Sequence, residues 1–204
     1  AQLALEKLHL SPSGAMLVLM GIFLGGLVNL PLYVVQRQTE QPIVQHRLHA
    51  LMGWVPIVER RPLRTIIAVT VGGCLIPAGL ALFEAALVLS AVPQATRALV
   101  AAAGVNIAVC YLVARPVPGI GIAMPAFTSP LVSVLATWLL LMPDEYTMIR
   151  APVAFVAGVA GPLIGADLLR LRDVTKMAAP MLSIGGAGTF DGIVLSGLLA
   201  AFLA

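Results

Sequence analysis

The sequence predicts an all-α, polytopic membrane helix bundle of about six spans, with broken helices near Pro118–Pro125 and Gly185–Gly188. Three observations lead there. Hydrophobic residues make up 60% of the 204 positions and charged residues only 10%, where a soluble domain carries roughly a quarter charged. The apolar residues come in long unbroken runs, not in the short alternating segments of an outer-membrane barrel. A bilayer core of roughly 30 Å takes about 20 apolar residues per helix, so the runs use up the chain. It reads as one integral membrane domain, 1–204.

Taken in order, the first span covers about Gly14 to Val35 and stops at Gln36-Arg37. A polar, basic segment, about 36–64, follows. Its apolar residues (Leu48, Leu51, Trp54, Ile57) alternate with Arg47, His46, His49 and Glu59, which suits a stretch lying among lipid headgroups on the cytoplasmic side. The second span starts at Thr65 and ends before Pro93, and a tight turn leads into the third, which ends at Arg115-Pro116. The fourth runs from about Thr128 to Met142, the fifth from about Ala151 to Leu169, and the last ends at Ala204.

Lys and Arg in the connections set the orientation. Arg37, Arg47, Arg60, Arg61, Arg64, Arg115, Arg170, Arg172 and Lys176 fall on one side, and only Lys7, Arg97 and Arg150 on the other. That places the first group in the cytoplasm and both termini outside. No Lys/Arg-rich tract could track a nucleic-acid backbone, so nucleic acid is excluded as a partner. Cys74 and Cys110 lie inside apolar runs, without metal-ligand spacing, and read as buried thiols. No cofactor or metal site is indicated.

An ionisable group at membrane depth is costly and points to function. Glu84, Asp167 and Asp191 qualify. Counting back from the turn near Gln94 sets Glu84 opposite Asn106, a buried polar pair. Asp167 lies about one turn inside the end of the fifth span, with Arg170 and Arg172 as possible partners toward the cytoplasm. Asp191 follows Gly185-Gly186-Ala187-Gly188-Thr189-Phe190, a cluster that ordinary helix interior does not tolerate without cost. A break there, with a helix restarting near the N-cap Thr189, brings Asp191 to the depth of Asp167. Capping of that helix is the simpler role for Asp191. Asn29-Leu30-Pro31 weakens the first span, and the Pro/Gly-rich stretch from Arg115 to Phe127, with Pro125, interrupts the approach to the fourth. These breaks converge on a cytoplasmic polar cavity.

Gly26-Leu27-Val28-Asn29-Leu30-Pro31, Arg115-Pro116-Val117-Pro118-Gly119-Ile120-Gly121-Ile122, Gly165-Ala166-Asp167-Leu168 and Gly186-Ala187-Gly188-Thr189-Phe190-Asp191-Gly192 resemble an uncharacterised family of prokaryotic multi-pass membrane proteins, a domain of unknown function. The resemblance implies the prokaryotic cytoplasmic membrane and supplies no activity. In three short patches the chain also resembles the GxGD intramembrane aspartyl proteases. That resemblance implies a catalytic pair, Asp167 and Asp191, supported by Gly186, Gly188 and Thr189. Pro125-Ala126-Phe127 would stand for the proline motif, although here it precedes both aspartates.

Three functions fit these residues. One is aspartyl-type intramembrane hydrolysis, with one carboxylate as base on a water and the other as acid. Another is proton- or cation-coupled transport of a small solute through discontinuous helices. The third is an accessory or assembly subunit docked on a larger membrane complex through small-residue faces. The partners these imply are the lipid bilayer and a membrane protein or substrate helix.

Overall fold

The computed structural model describes residues 2–42, 58–91, 95–117, 121–142, 146–174, 181–186 and 191–204. A short helix α1 (Gln2–Glu6) leads into α2 (Pro12–Gly25), which Ser11 caps through its hydroxyl on the Gly14 N–H. Strands β1 (Asn29–Pro42) and β2 (Val58–Thr70) follow. A π-helical turn, Val71–Leu75, runs on into α3 (Ile76–Ala91). Next come α4 (Ala95–Val113), the small hairpin β3 (Arg115–Val117) and β4 (Gly121–Ala123), and α5 (Thr128–Leu140). Helix α6 (Thr147–Ala160) widens into a π-helical segment, Gly161–Leu168, where Pro162 supplies no N–H to the α-helical ladder. The chain ends with α7 (Leu171–Val174), strand β5 (Met181–Ile184) and α8 (Gly192–Leu203).

Among the described residues, an apolar helix stands within each of the six apolar runs, and three of these helices are long and apolar enough to cross a membrane. These are Val71–Ser90, Ala95–Val113 and Thr147–Asp173. Helices α2, α5 and α8 span only about 18–21 Å at 1.5 Å per residue. Gly25 at the end of α2 packs on Gly72 at the end of the bundle where the strands are, so α2 falls short at the opposite end, where His9 reaches Glu84.

The expectation of an all-α fold needs correction. Strands β1, β2 and β5 form one sheet in that order, with β1 and β2 antiparallel from Asn29↔Thr70 to Pro42↔Val58. Strand β5 pairs parallel with β2 from Ile66↔Met181 to Val69↔Ile184. The first apolar helix thus ends at Gly25 and the next begins at Val71, with β1 and β2 between them, while 43–57, the middle of the expected interfacial segment 36–64, lie outside the described residues. Leu30–Val35 and Thr65–Val69 are apolar enough to pass for the ends of spans, yet β-branched residues favour the pleated backbone. Pro31 is tolerated because β1 is an edge strand, and the register slips there, between Pro31 and Tyr33. The ribbon sequence is apolar up to Val35 and Thr65 and mostly polar from Gln36 and Arg64 outward. His46, His49 and Trp54 lie outside the described residues.

One core cluster joins Leu5, Leu8, Cys74, Phe155, Val159, Ile184, Ile193 and Ala201. The other packs Val88, Leu99, Leu141, Ile149 and Val153 toward the opposite end of the bundle. There, Arg150 donates to the Leu141 and Met142 carbonyls (2.9 and 2.8 Å) and stacks on Trp138, closing the turn between α5 and α6.

Candidate functional site

The sheet end gathers three interrupted elements. Asp167 sits at the close of the π-helical segment of α6, where the widened ladder turns its side chain inward. Asp191 is the N-cap of α8, with extended backbone (φ −65°, ψ 143°), and its carboxylate accepts the Ile193 N–H at 2.9 Å. Cys74 lies on the π-helical turn that starts α3. The two carboxylates are within range of each other's charge, and the Cys74 thiol is within range of both. Both aspartates are half-buried.

The levels of the helices explain this convergence. Ser129 in the first turn of α5 touches Asn106, seven residues before the end of α4, and Ser196 in the second turn of α8. So α5 starts well inside the bundle. Asp191 lies five residues toward the sheet end from Ser196, and Asp167 nine residues beyond Gly158, which bonds at that same level. Arg170 does not neutralise Asp167. It donates to the Tyr111 carbonyl (2.7 and 3.3 Å), stacks on the Tyr111 ring and lies 3.6 Å from Asp173, tying α6 to the last turn of α4.

Side chains join the three strands at this end. Thr70 and Ser183 each donate a hydroxyl proton to Asn29 Oδ1 (2.7 and 2.6 Å), and their oxygens lie 2.8 Å apart. One side chain from each strand thus locks the sheet at its inner end. Beyond Ser183 the chain turns at Gly185 (φ +72°), and the Gly186 N–H bonds back to the Ser183 carbonyl at 3.2 Å. A Cβ at Gly73 would fall on the Gly185 carbonyl oxygen. This backbone contact seats the turn before Asp191 on the π-helical turn that carries Cys74.

The expected Glu84–Asn106 pair is not formed, although both residues are fully buried. Consecutive helices α3 and α4 pack mainly on α6, and α4 also on α5, so their polar groups face different neighbours. Asn106 donates to Ser129 (2.9 Å) and to the Ala157 carbonyl (2.8 Å), and accepts from the Cys110 thiol. Ser129 in turn reaches the Gly158 carbonyl, and Ser196 closes the network onto Ser129. Glu84 is held by His9. Removing the Asn106 amide leaves buried groups unpaired, so Asn106→Ala is expected to cost about 1–3 kcal/mol, read as a lower midpoint of thermal unfolding in detergent.

Of the other predicted residues, Asn29 joins the strand lock and Gly186 the turn. Pro125 is exposed in the turn that starts α5, its carbonyl accepting the Thr128 N–H. Gly188 and Thr189 lie outside the described residues, and α8 is capped by Asp191 itself. Cys74, Thr70 and Ser183 escaped sequence reasoning. Their only signal is the Gly72-Gly73-Cys74 step and a hydroxyl at each strand end. Among the described residues, no group of three or more His, Cys, Asp or Glu is placed to hold a metal ion.

Residues 23–203 match the model of a family described as "Protein of unknown function (DUF1614)". No curated protein and no solved structure matches the chain.

Proposed function

We propose, for a chain that belongs to the DUF1614 family of proteins of unknown function, that Asp167 and Asp191 hydrolyse a peptide bond in an extended segment at the edge of the membrane. The observation that carries this reading is two carboxylates within range of each other's charge, on separate interrupted elements, together with the edge strand β5. On one side β5 pairs with β2, and on its other side no strand lies among the described residues. An edge strand can pair with one further strand. An extended peptide supplies that strand and brings its carbonyls toward the turn that leads to Asp191.

The chemistry asks little more of the chain. One carboxylate takes a proton from a water, whose oxygen bonds to the scissile carbonyl carbon. The protonated partner gives its proton to the carbonyl oxygen; as the C–N bond breaks, the first carboxylate passes its proton to the leaving nitrogen and the new carboxyl returns one to the partner. By the excess of Lys and Arg in its connections, the sheet end faces the cytoplasm of a prokaryotic cell, with both termini outside. The broken helices would also suit a cation-coupled transporter, but such a site has no use for a strand edge.

The test is purified protein in nanodiscs, incubated with a fluorophore-quencher peptide carrying an apolar, β-branched stretch, with products read by mass spectrometry. Cleavage that Asp167→Asn abolishes supports the reading. Absence of cleavage alongside Asp167-dependent cation flux in liposomes would replace it with transport.

A further inference from the structure

The sheet end carries a hydrogen-bond donor that the proposed chemistry does not use. Asn29, the first residue of β1, has its side-chain oxygen held by two hydroxyls, Thr70 at 2.7 Å and Ser183 at 2.6 Å. Both distances are those of O–H···O bonds, so the oxygen of the amide, and not its nitrogen, stands between the hydroxyls. The two bonds use both lone pairs of Oδ1 and fix the plane of the amide. Its nitrogen keeps two N–H donors, and neither makes a hydrogen bond among the described residues. Thr70 is fully buried, whereas Asn29 is exposed and flanked by the exposed apolar side chains of Leu27, Val28 and Leu30. The lock alone asks only for an acceptor, which an aspartate would also provide. The asparagine adds a donor of fixed direction in apolar surroundings, the pattern of a polar group that orients a ligand.

We propose that the Asn29 amide nitrogen donates to a backbone carbonyl of the peptide substrate, at a point a few residues from the scissile bond. The proposal rests on the hydrolytic reading for its ligand, an extended peptide. Neighbouring contacts connect the amide to the aspartates. Ser183 lies on β5, the edge strand, and the Gly186 N–H turns back onto its carbonyl at 3.2 Å. A Cβ at Gly185 would lie 2.9 Å from that of Cys74, whose thiol is within range of the charge of both carboxylates. An extended chain advances about 3.3 Å per residue, so a short stretch of one peptide passes from residue to residue along this route. Because the site offers donors and no acceptor, it reads a carbonyl and leaves the N–H groups of the peptide to the strand edge. It therefore selects extended backbone and is indifferent to side chains. Binding remote from the reacting atoms holds the substrate in register and falls on KM more than on kcat.

The experiment measures binding, so that it stands apart from cleavage. A fluorescent peptide with a hydroxyl group in place of the scissile carbonyl is titrated with the full chain in nanodiscs, and anisotropy gives Kd. Each remaining peptide bond is in turn made an ester, whose carbonyl is a weaker acceptor. One position is expected to raise Kd roughly 3–10-fold in the native protein, the weight of one hydrogen bond. Asn29→Asp, read at pH 8 where a carboxylate is ionised, keeps the acceptor for Thr70 and Ser183 and puts an oxygen in place of the donors. It is expected to raise Kd for the all-amide peptide about tenfold with little change in the unfolding midpoint. The ester at the sensitive position should then cost nothing further, as coupled groups behave in a double-mutant cycle. Asn29→Ala, at an exposed position, repeats the test without an added charge. The same ester pattern in the native protein and in both variants overturns the proposal, as does a native protein that binds no peptide. Cleavage lost in Asp167→Asn with peptide binding unchanged in Asn29→Asp would overturn it and leave the hydrolytic reading intact. Binding coupled to Asn29 without cleavage of an ordinary peptide would uphold it and remove that reading.

Discussion

Asp167→Asn and Asp191→Asn are each expected to lower peptide cleavage by about 10²–10⁴-fold, with the double variant no worse than the weaker single one. The reason is that the two carboxylates act as one unit, and groups that act as a unit are not additive. An amide in either place keeps size and polarity, and at Asp191 its oxygen still caps α8 through the Ile193 N–H. Unfolding midpoints should therefore move little. A loss of cleavage that tracks a loss of stability would reduce Asp191 to a cap. Full cleavage in either variant would remove the pair altogether.

Gly73→Ala is expected to be strongly damaging, as is Gly72→Ala, whose Cβ would fall on the backbone of α2. At position 73 the Cβ would meet the Gly185 carbonyl, which is backbone and has no rotamer to change. The turn before Asp191 has to move, and with it the strand lock of Asn29, Thr70 and Ser183. Overpacking of this kind costs about 1–3 kcal/mol where side chains can yield, and more where they cannot. Gly79→Ala and Gly104→Ala make the contrast, because nothing lies within 4 Å of a Cβ at either helical position. They should stabilise by roughly 0.5–1 kcal/mol through helix propensity. Unfolding in detergent, followed by circular dichroism, separates the damaging substitutions from the stabilising ones.

Hydropathy locates the helices because each apolar run contains one. It fails for the sheet, since Leu30–Val35 and Thr65–Val69 are apolar strands with no polar alternation to set them apart from helix. Pro31 and the β-branched residues were the available signals, and an edge position with a bulge explains how the proline is accommodated. The aspartates were legible because carboxylates are rare at that depth and a glycine cluster precedes Asp191. Glu84 and Asn106 were legible as buried polar groups and not as partners, because a hairpin of helices does not oblige its members to face each other. His9 lies in a polar N-terminal stretch, and only the folded chain shows that it reaches a residue 75 positions away.

The central claim, that Asp167 and Asp191 form one hydrolytic site, is tested most directly by a photoreactive peptide with a hydroxyl group in place of the scissile carbonyl. Such a group takes up the position of the attacking water between two carboxylates. The account predicts saturable labelling of the native protein in nanodiscs, and loss of labelling in both Asp167→Asn and Asp191→Asn. Labelling that persists in either variant, or a native protein that takes up no label, would contradict it.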